Sequence, residues 1–128
     1  MTVTYADAGD LLEALVRARV GHHGDALAAL FAPDAEVAPD PFAPPLVGDN
    51  ALRAYLLAAA AAERLYDLAI ERHWVSGDAV LAAWHASWTR HQDEAHVRQA
   101  GFLAAEVDLD GRIRRLRLWT VTRERLAG

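Results

Sequence analysis

The sequence contains no cysteine, no lysine and a single methionine. Without cysteine there is no disulfide, no thiolate nucleophile and no Cys-ligated zinc or iron–sulfur centre. All thirteen basic side chains are arginine, set against eighteen acidic ones, and the net charge of −5 argues against broad electrostatic capture of nucleic acid. No glycine-rich phosphate loop, dinucleotide fingerprint or nucleophile-elbow serine occurs, so nucleotide binding and serine-hydrolase chemistry have no support. The six histidines are scattered, with no closely spaced pair on a clear helix or strand, and no metal site is expected. Long apolar runs are missing as well. The lowest-polarity stretch, residues 51–62, is interrupted by Arg53 and falls short of the roughly 20 apolar residues that span a bilayer. The opening residues 1–7 have neither the basic nor the apolar region of a secretory signal. The expectation is a soluble, cytoplasmic protein with no cofactor, no nucleic-acid partner and no membrane association.

What is present is enough for one core. The 128 residues are 53% hydrophobic and 24% charged, the composition of a single globular domain spanning 1–128. Ala8, Leu11, Leu12, Leu15 and Ala18 form the stripe of an amphipathic helix over 7–21, with Asp7 placed to cap it. A second short helix is expected from Asp25, with Leu27, Leu30 and Phe31 on its buried side, ending at Pro33. Prolines at 39, 41, 44 and 45 then forbid helix. A third, alanine-rich helix follows Gly48 and runs to about Arg64, capped by Asp49 or Asn50.

From Tyr66 the hydrophobic period shifts toward two, which predicts strands near 67–75, 79–90, 96–109 and 112–122. Asp110-Gly111 is the strongest hairpin signal. Helices followed by an antiparallel meander make an α+β domain, with three N-terminal helices on one face of the sheet. Alternation assigns Val80, Ala82, Trp84, Ala86 and Trp88 to the helix-facing side, together with Gln99, Leu103, Ala105, Leu116 and Leu118. His85, Phe102 and Trp119 fall on the other side, where large aromatics suggest a subunit interface and hence a homodimer.

The run Phe31-Ala32-Pro33-Asp34-Ala35-Glu36-Val37, the proline-rich loop, Gly48 and Ala51-Leu52-Arg53-Ala54-Tyr55 resemble the first half of a nuclear-transport-factor-2-like domain. Gly77-Asp78-Ala79-Val80 and Asp110-Gly111-Arg112-Ile113 resemble its second half. The resemblance covers residues 8–121 and implies a cone, a curved antiparallel sheet wrapped round helices with an apolar pocket between them. Its members include ketosteroid isomerase, limonene epoxide hydrolase, SnoaL-like polyketide cyclases and non-catalytic binding modules, so fold does not settle function. The isomerase pattern places its general base at Asp40. Its tyrosine donor falls on Leu15 and its protonated-aspartate donor on Ala105, while the acid-base aspartate of the cyclases falls on Ala105, or on Leu103 or Glu106 if the register slips. The final aspartate of the epoxide hydrolase relay falls on Leu118. What this implies is a cofactor-free cyclase or isomerase acting on an apolar cyclic or polyketide-like substrate, or else a binding or stabilising module on the same fold.

The candidate site residues carry two readings each. Asp40 is a general base at a pocket mouth, or the start of an Asp-Pro turn. His73 is a second acid-base group if its ambiguous strand face turns inward, or otherwise a hydrogen-bonded structural histidine. Trp84 and Trp88 form an aromatic wall for a flat ligand, or fill the core. Tyr55 and Gln99 offer polar contacts to a ligand, or pack and rim the cavity. Leu15, Leu103, Ala105 and Leu118 supply the apolar lining. His22 and His23, between glycines, read as a solvated helix end.

Overall fold

The computed structural model describes residues 2–127. The first helix, α1, runs from Tyr5 to Val20, and its cap is Thr4 rather than Asp7: the Thr4 side chain accepts the Asp7 amide at 3.0 Å. The side-chain oxygen thus satisfies one of the unpaired N–H groups that every helix start leaves. Ala8, Leu12, Leu15 and Ala18 form its buried face. Helix α2 is only Gly24–Ala29, and α3 is Asp49–Ala62. No side chain caps α3. Its cap position is Gly48, whose φ of 84° is left-handed backbone that favours glycine.

Two strands lie outside those expected from the sequence. Residues placed at the end of the second helix, Phe31 among them, begin strand β1 (Phe31–Ala38), and Leu46–Val47 form a short β2. Pro33 is tolerated there because it is exposed and lies where the pairing of β1 slips register, between Phe31 and Glu36. The four long strands are β3 (Glu63–Ser76), β4 (Ala79–Arg90), β5 (His96–Val107) and β6 (Ile113–Arg125). Together they make a curved, unclosed six-stranded sheet in the order β2-β1-β6-β5-β4-β3. Because β1 runs parallel to β6, the sheet is mixed rather than wholly antiparallel. The α+β cone is otherwise as expected.

Strand faces follow the alternation along β4 and β5. Val80, Ala82, Trp84 and Ala86 are buried, as are Leu103, Ala105 and Val107. In β3 the alternation breaks. Tyr66, Leu68 and Ile70 pack inward, but Glu71 and Arg72 are both exposed, and the pairing with β4 slips between Ile70 and Arg72. This bulge transfers the inward set from even to odd positions, so that His73 and Val75 turn toward α1. Among the described residues, no helix is long and apolar enough to cross a membrane.

Candidate functional site

The core stops short of filling the cone. Between α1, the loop after β1 and the concave sheet lies a cavity of about 780 Å³, open at one end. Its inner wall is apolar, with Leu15 from α1, Phe31 from β1, Trp84 from β4, Leu103 from β5 and Leu116 and Leu118 from β6. Toward the mouth the lining becomes polar, with Arg19, Asp40, Tyr55, Tyr66, Gln99 and Thr122. A mostly apolar concavity with a few convergent polar groups is the usual form of a small-molecule site, and this volume lies within the ordinary range of roughly 300–1,000 Å³.

Of the residues singled out from sequence, Leu15, Asp40, Tyr55, Trp84, Gln99, Leu103 and Leu118 line this cavity. Three do not. His73 lies beneath the start of α1, with its ring stacked on Tyr5 at 4.0 Å and its Nε2 3.2 Å from the Tyr5 carbonyl oxygen. The β3 bulge turns it inward, but toward the helix rather than the cavity. Trp88 packs on Tyr66, ring centroids 5.5 Å apart, on the side of Tyr66 away from the lining. Ala105 is 1% exposed and sealed in the core, where it pairs across the sheet with Val80 and Leu116.

Asp40 both lines the cavity and starts a turn. It lines the cavity and is exposed, while its Oδ1 accepts the Phe42 amide at 2.9 Å and its carbonyl accepts the Ala43 amide at 3.2 Å. It is the one carboxylate among the lining residues. Gln99 is occupied as well, its Nε2 donating to Thr122 Oγ1 at 3.2 Å.

The largest feature the sequence reading passed over is an ionic cluster beside the mouth. The Arg19 guanidinium donates to both carboxylate oxygens of Glu63 at 2.9 Å, with side-chain exposures of 14% and 10%. It also lies 4.0 Å from the centre of the Tyr66 ring. His22, read as solvated, instead turns back on the helix end with φ of 53° and sets its Nε2 3.3 Å from Glu63 Oε1. Burial works to lower the Arg19 pKa, but the Glu63 hydrogen bonds and the nearby negative groups outweigh it, so the guanidinium stays charged above its ordinary value. Burial pushes the Tyr66 phenol up to about 12, partly offset by the Arg19 charge, which keeps Tyr66 a neutral donor at physiological pH. One sequence signal was available, because Arg19 stands four residues after Leu15 and therefore shares its inward helix face. Glu63, forty-four residues away, carried none.

Comparison with known proteins agrees with this fold. Residues 12–116 match the family model described as a SnoaL-like domain. A search among curated proteins returns no match. Among solved structures, the chain resembles the epoxide hydrolase/cyclase-like enzyme SalBIII, described in pyran ring formation in the polyether salinomycin. There the TM-score is 0.82 at 17% identity, over 91% of this chain and 92% of that one. It also resembles a computationally designed 17-OHP binder, with TM-score 0.80, 19% identity and coverage of 93% and 98%. An LEH-like epoxide hydrolase from Mycobacterium tuberculosis gives TM-score 0.76, 22% identity and coverage of 91% and 84%. At these identities the likeness is one of fold. The family match spans most of the sequence, and the chain belongs to the SnoaL-like domain family.

Proposed function

We propose that this protein binds an apolar cyclic or polyketide-like small molecule inside the cone. We also propose that it performs cofactor-free acid-base chemistry on that molecule, with Asp40 as proton acceptor. The observation that carries the reading is a deep apolar cavity whose lining holds a single carboxylate, placed at the rim. An ionised Asp40 takes a proton from an activated C–H of the bound molecule and returns it to another position. The Phe42 amide holds the carboxylate in one orientation without protonating it. Tyr66 lines the same cavity and supplies a neutral donor for the negative charge that develops, while Arg19 is held by Glu63. The positions at which relatives of this fold carry acidic donors are aliphatic here, at Leu15, Ala105 and Leu118. The expected acceleration is therefore that of one general base, about 10²–10⁴-fold.

Asp40→Asn preserves shape and removes the base. On a turned-over substrate it should lower kcat by that factor while leaving binding within a few-fold. Undiminished turnover would remove Asp40 from the chemistry. The second reading, a non-catalytic binding module, is favoured by one observation: Asp40 is exposed and its Oδ1 is already engaged by the Phe42 amide, as in a plain turn. In that case Asp40→Asn alters neither binding nor any reaction. Assembly as a homodimer belongs to the same proposal. It is supported by the outer sheet face, where Trp74, Phe102 and Trp119 are 38%, 37% and 40% exposed and the rings of Trp74 and Phe102 are 5.8 Å apart.

A further inference from the structure

Polarity along the cavity runs in one direction. Across β4, β5 and β6, Val80, Ala105 and Leu116 stand in one inward row and Ala82, Leu103 and Leu118 in the next, with no polar side chain among them. Thr120 enters the third row, beside Trp84 and Gly101, and Gln99 and Thr122 share the fourth with Ala86. Tyr66 stands one inward position beyond Leu68, which is the β3 partner of Ala86 in that fourth row. The first two rows are buried apart from half-buried Leu118, whereas Gln99 and Tyr66 are half-buried and Thr122 is exposed. The closed end is hydrocarbon, and the hydrogen-bonding groups gather at the open one.

Most of those groups are engaged already. Gln99 donates to Thr122, Arg19 donates to both oxygens of Glu63, and His22 sits against the same carboxylate. None of these bonds uses the Tyr66 hydroxyl. That hydroxyl is not sealed either, since among the described residues the covered, unpaired side-chain atoms are only Trp84 Nε1 and Arg117 Nε. Tyr66 therefore brings an uncovered, unpartnered O–H to the cavity lining. Its ring is packed by the Arg19 guanidinium at 4.0 Å, Trp88 at 5.5 Å and His22 at 6.2 Å, so the donor is held in place before any ligand arrives. Burial pushes its pKa up to about 12 against the lowering effect of the Arg19 charge, and the proton stays on at neutral pH. Tyr55, the other phenol of the lining, is 40% exposed, where water competes for its hydroxyl.

We infer that the ligand is a neutral ring system carrying a ketone or similar carbonyl at one end, bound hydrocarbon-first, with the carbonyl oxygen accepting from the Tyr66 hydroxyl near the mouth. This rests on the proposed small-molecule reading and adds the ligand's orientation and the one group recognised on it. A carbonyl carried to the closed end would lose its hydration among aliphatic side chains that offer no donor. A hydrocarbon ring gains there by burying its surface. Charge selects the neutral group, because a carboxylate at the mouth would meet Asp40 while Arg19 is already matched by Glu63.

The probes 2-acetylnaphthalene and 2-isopropenylnaphthalene test this, since they share one shape and differ only in C=O against C=CH₂. Calorimetry gives the affinities, infrared spectroscopy the carbonyl stretch of the bound ketone, and nuclear Overhauser contacts its orientation. The ketone-to-alkene affinity ratio should drop about 5- to 10-fold in Tyr66→Phe, with alkene affinity unchanged within a few-fold. The bound stretch should lie lower in the wild type than in that variant. Ring protons should contact the Leu103 and Leu118 methyl groups, and the acetyl methyl should contact the Tyr66 ring. A ratio that survives Tyr66→Phe, a drop found only in Tyr55→Phe, a wild-type stretch equal to that in dry hexane, or an acetyl group against Leu103 overturns the inference while the apolar pocket stands. If neither probe binds the wild type, the pocket reading falls and the inference with it. The wild-type stretch and contacts decide the matter even if Tyr66→Phe does not fold.

Discussion

Replacing Arg19 by methionine removes the charge and keeps the length of the side chain, and it tests the ion pair directly. Glu63, at 10% side-chain exposure, would lose both 2.9 Å hydrogen bonds and keep only the 3.3 Å contact with His22. Breaking a fully buried pair from one side costs about 3–5 kcal/mol, because a desolvated charge remains unmatched, and for this part-buried pair roughly 1–3 kcal/mol is expected. The stacking of the guanidinium on Tyr66, 4.0 Å away, adds up to about 1–2 kcal/mol that is not strictly additive. Against the roughly 5–15 kcal/mol of total stability typical of a domain, this is a large fraction. The double variant Arg19→Met, Glu63→Leu removes both charges and should recover most of the loss, since well-packed apolar replacements of buried pairs are often neutral. Urea denaturation followed by circular dichroism measures all three proteins at one pH. A single variant that loses less than about 1 kcal/mol, or a double variant no more stable than the single, would refute the view that burial makes this pair matter.

Two further outcomes follow from the same structure. The Tyr66 phenol is held near 12 against an ordinary 10, so the stability it contributes is complete below pH 10 and is lost as pH rises toward 12. Tyr66→Phe should therefore flatten the alkaline limb of the stability profile by at most about 2 kcal/mol between pH 9 and 11.5, measured as urea midpoints at those two values. Parallel curves for the two proteins would show that the phenol is not desolvated. Trp119→Arg places a charge in the outer aromatic face beside Phe102, its cross-strand partner, and should convert a dimer to monomer in light scattering. A wild type already monomeric at tens of micromolar (roughly, where a standard interface would be occupied) defeats the dimer proposal.

The sequence was most legible where one periodicity holds across a whole element. Strand β4 and, apart from the small buried Ala104, strand β5 keep their alternation, so the inward placement of Trp84, Gln99 and Leu103 could be read directly, and all three line the cavity. His73 could not be placed this way, because the bulge after Ile70 changes which parity faces in, and nothing local announces it. Strand β1 was illegible for a related reason. Its proline at 33 and its short apolar run follow a helix without a turn signal, and its pairing with β6 is long-range and parallel. Trp88 shows a different limit. Its face was read correctly, but a strand longer than the cavity carries inward residues beyond it, and only the three-dimensional extent of the cavity separates Trp84 from Trp88.

The ionic cluster has a consequence for ligand choice that no single residue carries. An arginine on the cavity-facing side of α1 would ordinarily draw carboxylates or phosphates into the cone. Glu63 cancels that field at contact distance, and a bidentate pair leaves the guanidinium little freedom to turn toward another anion. With Arg19 matched, the unbalanced charge in the lining is that of Asp40 at the rim, which repels anions at the entrance. Neither charged group of the lining is therefore free to draw in an anion. A neutral molecule meets no such barrier. It gains from burying apolar surface against Leu15, Leu103 and Leu118, and specificity is left to the few neutral donors that face it. A cone arranged in this way suits a ligand that is uncharged as it enters, with the neutral Tyr66 donor in the lining for any negative charge that develops during reaction.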